Sequence, residues 1–280
     1  MKKALLIILI LGLSLGLLAG CGDKQETVSQ ETEKQETTKL VVGATPVPHA
    51  EILEKAKELL AAKGIELEIK VFTDYVTPNT ALADGSLDAN FFQHVPYLED
   101  FTKENKLDLT HTVAVHYEPM GLYSQKIKSL DELKDGDKIA VPNDVTNEAR
   151  ALLLLQDNGI LKLKDANNLK ATKNDIAEYT VKVEIVELEA AQLTRALPDV
   201  TAAIINGNYA IDAGLSPAKD AIISESKDSL AAKTYANVVA IRKGDENREE
   251  IKALNEVLTS PEIKQFIEEK YQGAVVPTAE

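Results

Sequence analysis

The chain has 280 residues, 44% apolar and 27% charged, which is the balance of a soluble globular protein with room for one large domain or two ordinary ones. That balance excludes a fibre, a disordered chain and a polytopic membrane protein, and the net charge of −14 argues against nucleic acid, whose phosphates repel an acidic surface. The single cysteine excludes a disulfide framework and a cysteine zinc site, and aromatics are only 5% with no tryptophan, so any that cluster call for a reason.

The first element is a leader. Met1-Lys2-Lys3 precedes an apolar stretch from Ala4 to Leu18, and Leu18-Ala19-Gly20 leads directly into Cys21. A basic start, an apolar run and small residues before a break are the parts of a secretory signal. A transmembrane anchor is the weaker alternative, because residues 4–20 lie at the lower limit for spanning about 30 Å of hydrocarbon. The position of the only cysteine resembles a bacterial lipobox, in which that residue is acylated and becomes the mature N-terminus. Residues 1–20 are therefore read as a lipoprotein signal peptide and Cys21 as the lipidation site, tethering the protein to a membrane without a crossing helix. The polar residues that follow lack the apolar surface to offset ordering entropy, so 21–38 reads as a flexible stalk. The folded body is expected to start near Lys39.

From there short apolar strands alternate with amphipathic helices. Strands are expected at Leu40–Gly43, Ile65–Val71, Leu87–Phe91, over much of Leu109–Tyr123, and at Lys138–Val141, Val181–Leu188, Thr201–Ile205 and Val238–Ile241. Helices are expected at His49–Lys63 with Gly64 as its C-cap, from Thr77 to Gly85, from Pro96 to about Asn105, from Asn147 to about Asn158, around Gln192–Leu197, near Asn247–Leu258 and at Pro261–Tyr271. Ser129-Leu130-Asp131-Glu132 has the spacing of a capping box. Strand–helix alternation predicts an α/β protein with mostly parallel sheets, and the length favours two α/β lobes over one sheet.

Ligands of open α/β sheets bind beyond the carboxyl ends of strands. Those positions carry Asp74-Tyr75; Phe92-Gln93-His94 and then Tyr97; Asn143, Asn147 and Arg150; and Asn206-Gly207-Asn208-Tyr209. They offer aromatic and amide side chains rather than an acid–base pair. One of Phe91 and Phe92 should be core, since strand neighbours face opposite ways. Asn147 and Arg150 share a face at a helix start, where free N–H groups and a guanidinium fork describe an anion site. The competing reading is a surface arginine paired with Glu148 or Asp144. His49, His94, His111 and His116 have no metal spacing, and GxSxG, GxGxxG and P-loop motifs are absent. No catalytic residue, metal or cofactor is expected.

Several separated motifs carry a resemblance: Gly43-Ala44-Thr45-Pro46-Val47-Pro48-His49, Phe72-Thr73-Asp74-Tyr75-Val76-Thr77-Pro78-Asn79, Asp88 to Leu98, Val141-Pro142-Asn143-Asp144-Val145-Thr146-Asn147 with Arg150, Val186-Glu187-Leu188-Glu189-Ala190, and Ile205-Asn206-Gly207-Asn208-Tyr209-Ala210. Over residues 40–277, with the lipobox, the chain resembles the methionine-binding lipoproteins of ABC importers, the NlpA family. The resemblance implies a two-lobed type II periplasmic-binding-protein fold with two crossing strands, His116–Leu122 and Asn237–Arg242. Residues 40–117 with 240–280 would form lobe 1, and 118–239 lobe 2. It further implies an aromatic wall of Tyr75, Phe92, His94 and Tyr97 for a methionine side chain, and a polar end of Asn147, Arg150, Asn206 and Asn237. No acid matches a position facing the ligand's ammonium, so amide oxygens are expected there. The implied protein is not an enzyme. It faces outside the cytoplasm on its lipid and delivers L-methionine or a close analogue, such as D-methionine or a methionine dipeptide, to the permease and ATPase subunits of an importer. A different amphiphilic ligand, an enzyme on the same fold and a purely structural surface lipoprotein are the rivals.

Overall fold

In a computed structural model, residues 37–226 and 233–278 are described. The signal peptide, Cys21 and nearly all of the expected stalk lie outside the described residues. Among the described residues, no helix is long and apolar enough to cross a membrane.

Two sheets organise the body. The first has the order β13-β4-β12-β3-β1-β2, built from β1 (Thr38–Ala44), β2 (Ile65–Val71), β3 (Ala89–His94), β4 (Leu109–Tyr117), β12 (Asn237–Arg242) and β13 (Val276–Pro277). The second has the order β11-β5-β10-β6-β9, built from β5 (Gly121–Tyr123), β6 (Lys138–Pro142), β9 (Glu184–Leu188), β10 (Ala202–Ile205) and β11 (Ile223–Ser224). A separate hairpin pairs β7 (Leu161–Leu163) with β8 (Ile176–Tyr179).

Helices cover the sheets, which explains why strands such as Leu40–Val42 read as continuous apolar runs. On the first sheet, Leu40, Val42 and Phe91 pack with Ile52, Leu53, Ala56 and Leu60 of α1 (Glu51–Ala61), Ile251 and Leu254 of α7 (Glu249–Leu258), and Ile263 and Ile267 of α8 (Pro261–Tyr271). On the second, Ile139, Val141 and Ile204 pack with Leu152 and Leu155 of α4 (Val145–Asp157). The opposite face carries Ala203 and Ile205 against Leu193 of α5 (Leu193–Ala196) and Ala210 of α6 (Gly207–Asp212). The remaining helices, α2 (Thr77–Ala83) and α3 (Val95–Asn105), flank β3 in sequence.

The sheets are mixed, which corrects the expectation of mostly parallel pairing. β1 pairs parallel with β2 and β3, and β6 with β9 and β10, but β4, β5, β11, β12 and β13 all pair antiparallel. Antiparallel strands enter where the chain passes between the sheets. The outward passage is Glu118-Pro119-Met120, between β4 and β5. The return was expected at Asn237–Arg242, yet that strand lies wholly in the first sheet, paired with β3 and β4. The return therefore occurs upstream of residue 237.

The two passages run side by side. Glu225 N–H, just after β11, donates to Met120 O at 3.0 Å, continuing the β5–β11 pairing in which Ile222 N–H donates to Leu122 O at 2.8 Å. Glu225 adds its carboxylate, whose Oε2 accepts from Tyr117 O–H at 2.6 Å and from Met120 N–H at 2.8 Å. Ser129 does not form the expected capping box: Leu130–Glu132 is a single 3-10 turn with no side-chain cap.

Candidate functional site

A pocket lined from both sheets lies between them, and its free volume of about 20 Å³ is far below the range of roughly 300–1,000 Å³ for occupied small-molecule sites, so the site is closed down on itself. All eight residues expected from the sequence line it: Tyr75, Phe92, His94, Tyr97, Asn147, Arg150, Asn206 and Asn237. Gln93, Glu118, Gly207 and Asn208 complete the lining.

β3 supplies the first wall. Alternation sends Phe91 into the core, edge-on to His49 at 4.7 Å, and Phe92 into the cavity. Tyr75 stands between Phe92 and Tyr97, with ring centroids 5.8 and 5.7 Å away, and Tyr209 adds a fourth ring 5.0 Å from Tyr75. Spacings of this kind suit tilted and edge-to-face aromatic packing. The rings are hydrogen-bonded as well as packed. Tyr97 O–H donates to Tyr75 O at 3.0 Å, and Tyr75 O–H donates across the cavity to Asn208 Oδ1 at 2.5 Å.

His94 ends β3 and caps α3. Its Nδ1 accepts from Tyr97 N–H at 3.2 Å, so the neutral ring carries its proton on Nε2, 3.1 Å from Asn147 Oδ1. Burial, reinforced by the nearby Arg150 charge, lowers the His94 pKa to about 3 and keeps the ring neutral.

Asn147 is fully committed. Its Oδ1 accepts from His94 and, at 2.8 Å, from Asn206 Nδ2, while its Nδ2 donates to both oxygens of Asp144 at 3.0 Å. α4 starts two residues before the expected Asn147, because Asp144 is its N-cap and accepts from Asn147 N–H at 3.0 Å. Asn206 keeps one unfilled valence: its Oδ1 is buried and has no hydrogen-bond partner.

Arg150 is 4% exposed and pairs with neither acid proposed for it on the surface. Asp144 is the helix cap, and Glu148 accepts from Lys173 N–H. The guanidinium instead grips Glu225, with Nε donating to Oε1 at 2.8 Å and Nη2 to Oε2 at 2.6 Å. Nη2 also donates to Glu118 O at 2.8 Å, and Tyr235 lies beneath the group at 4.4 Å. Nη1 makes no hydrogen bond among the described residues. Sequence reasoning missed Glu225 because no spacing rule links positions 75 residues apart.

One acid lies at the site, beside the amides expected from the sequence. Glu118 lines the cavity, and its Oε1 lies 2.7 Å from His116 Nε2 and 3.3 Å from His49 Nε2. His49 Nε2 is also 3.1 Å from Asn237 Oδ1, and its Nδ1 is 2.6 Å from Thr45 Oγ1. An Nε2 proton with two acceptors and an Nδ1 accepting the threonine hydroxyl account for that ring. Burial lowers His49 to about 4 and His116 to about 3, and it raises Glu118. These three residues are the group among the described residues whose donor atoms lie close enough, within 4.8 Å, to hold a metal. Each Nε2 already has an acceptor, while His116 Nδ1 is buried without a hydrogen-bond partner. β12 makes the cluster continuous with the cavity: Asn237 stands in register with His94 of β3 on one side and His116 of β4 on the other.

The lining offers a small amphiphile aromatic rings together with a cation, amides and an acid. Residues 40–279 match the family described as NlpA lipoprotein. The methionine-binding lipoprotein MetQ of Bacillus subtilis is 43% identical over 284 residues, covering all of both chains. A putative lipoprotein from Ruminococcus gnavus is 55% identical with a TM-score of 0.85, covering 87% of this chain and all of its own. A nutrient binding protein from Burkholderia cenocepacia, solved bound to methionine, is 43% identical with a TM-score of 0.81, covering 86% of this chain and all of its own. These likenesses carry the two-lobed periplasmic-binding-protein fold, and the chain belongs to the NlpA lipoprotein family.

Proposed function

We propose that this protein is an extracytoplasmic solute-binding lipoprotein that captures methionine and delivers it to an ABC importer. The observation that carries the reading is the mixed lining of the cavity, in which the rings of Tyr75, Phe92 and Tyr97 accompany Arg150 and the amides of Asn147, Asn206 and Asn237. A thioether favours aromatic edges by about 0.3–1.5 kcal/mol per contact. Methionine-bound and methionine-named relatives at 43% identity support the same ligand.

In this reading Tyr75, Phe92, His94 and Tyr97 wrap the side chain, while Arg150 meets the carboxylate through Nη1. Glu225 occupies the other edge of the guanidinium and fixes its plane. Each lobe centres on one sheet, and ligand contacts from both bias the pair toward closure. In this reading the protein binds its ligand and releases it unchanged. Cys21 carries the lipid, and the permease and ATPase are separate chains.

Isothermal titration of the purified full chain with L-methionine, D-methionine and glycyl-methionine tests the reading and ranks the ligands. A saturable one-to-one isotherm is expected with at least one of them. Absence of heat and of any thermal shift with all three would sink it.

A further inference from the structure

The two lobes touch outside the cavity as well as across it. α3, capped by His94, carries Tyr97 into the cavity and Asp100 three residues farther along the same helical face. Asp100 does not line the cavity. Its carboxylate pairs instead with Lys170 Nζ, which comes from the loop joining β7 to β8 on the other lobe. The Asp100 side chain is 11% exposed and the Lys170 side chain 54%, so the acid is largely covered while the ammonium reaches in from solvent. The loop presents Lys170 on a fixed frame. Asn168 Oδ1 accepts from Lys170 N–H at 3.0 Å, and the next residue, Ala171, is fully buried in the core of its lobe. Thr172 donates both its N–H and its O–H to Asp175 Oδ2, at 2.9 and 3.1 Å. Lys173 N–H donates to Glu148 Oε1 at 2.7 Å, tying the loop to the first turn of α4. Each half of the ion pair is thereby tethered to a helix that carries cavity residues, α3 with Tyr97 on one side and α4 with Asn147 and Arg150 on the other.

We propose that Asp100 and Lys170 are positioning residues that set ligand affinity without touching the ligand, as an ion pair made only when the lobes come together. The inference rests on the reading that an amino acid is captured by closure of the two lobes. When the lobes part, carboxylate and ammonium return to water separately; when they meet, the pair stabilises the closed state alone. A contact present in one of two states moves the apparent affinity by its full worth while the other state dominates without ligand. The covered carboxylate makes this pair stronger than one fully in water, and the wet ammonium avoids the desolvation cost of a buried one.

The test is a double-mutant cycle on the full chain, with Asp100→Asn, Lys170→Gln and the two combined, read by titration with L-methionine and by its rate of release. Each single variant should bind about threefold to tenfold more weakly, with the loss in a faster release, and the double variant should bind no more weakly than either single. The ligand-free thermal midpoint should match wild type, because the pair is broken when the lobes are apart; a merely structural role would lower that midpoint instead. Wild type gives a second measurement that needs no variant. Methionine carries no net charge, so its affinity should weaken as salt rises from about 0.02 to about 0.5 M and screens the half-exposed pair, and the variants should flatten that dependence. Single variants within about 1.5-fold of wild type, losses that multiply in the double variant, or a salt-independent wild type would overturn the role of the pair and leave the methionine reading standing. Wild type that binds no methionine overturns that reading, and this inference with it.

Discussion

The two ends of the cavity are built differently. The aromatic end draws mainly on one stretch, residues 75–97, where β2 and β3 deliver their strand ends on either side of β1. The charged end is assembled from α4, the end of β10, the start of β12 and the two passages between the sheets. Tyr75 takes one hydrogen-bond partner from the rest of the molecule, Asn208 Oδ1, and Phe92 and Tyr97 need only their neighbours and packing. Arg150 needs Glu225, the Glu118 carbonyl and Tyr235 in place before a guanidinium can stand buried at all. The difference teaches that affinity at one end is a matter of surface and at the other a matter of completed networks, so perturbations should be graded at the first and abrupt at the second.

The sharpest way to break the comparison is Arg150→Ala. It leaves Glu225 buried without its cation, and breaking a buried pair costs about 3–5 kcal/mol. A large fall in thermal midpoint and loss of measurable methionine binding are expected together. Retained stability with affinity within twofold of wild type would mean that the charged end is no network.

A second prediction separates His94 from its neighbours by pH. Its folded pKa of about 3 lies below the unfolded value of about 6.5, so between them the unfolded chain holds the proton and the folded chain does not. The stability it contributes is present above about pH 6.5 and is lost as pH falls toward 3. His49 and His116 act in the same direction, whereas Glu118, Asp144 and Glu148, all raised by burial, act against it. The difference between wild type and His94→Asn, which keeps a helix-capping acceptor, isolates the one ring. Wild type should lose up to about 1.4 kcal/mol more per pH unit than the variant across that window, read from denaturant midpoints at stepped pH. Parallel profiles would show that His94 titrates normally in the fold.

The smallest effect belongs to the aromatic end. Norleucine replaces the thioether sulfur with a methylene and leaves both charges untouched. It should bind more weakly than methionine by only about 0.3–1.5 kcal/mol, the worth of a sulfur–aromatic contact. A loss beyond a hundredfold would make the aromatic end as demanding as the charged one.

The same division governs what could be read from the sequence. Strand-end reasoning reached Tyr75, Phe92, His94 and Asn147 because each directly follows or ends an apolar run, and the strong periodicities of α7 and α8 announced those helices, α8 to its exact bounds. Glu225 and Tyr235 lie beyond any run and act only through tertiary contact with Arg150. Glu118 was visible as an acid near a strand end, yet its company, His49 and His116, meets it only when β4, β12 and the turn before α1 come together. The hairpin β7–β8 and the helix α6 went unread for local reasons. The hairpin strands are short and 12 residues apart, and α6 begins on a glycine, a poor helix former.

Glu225 laces the two passages, and Arg150 is bonded to both of them, through Glu225 on the return and the Glu118 carbonyl on the way out. Rotation of the lobes about those passages would leave Arg150 almost on the axis, where a group turns without travelling. Tyr75 and Tyr209, which face each other from opposite sides, would have the longer lever arm. Capture on such a geometry would begin at Arg150, which keeps its place as the lobes turn, and would finish as Asn237 and the rings of the first sheet arrive on the ligand from the other side.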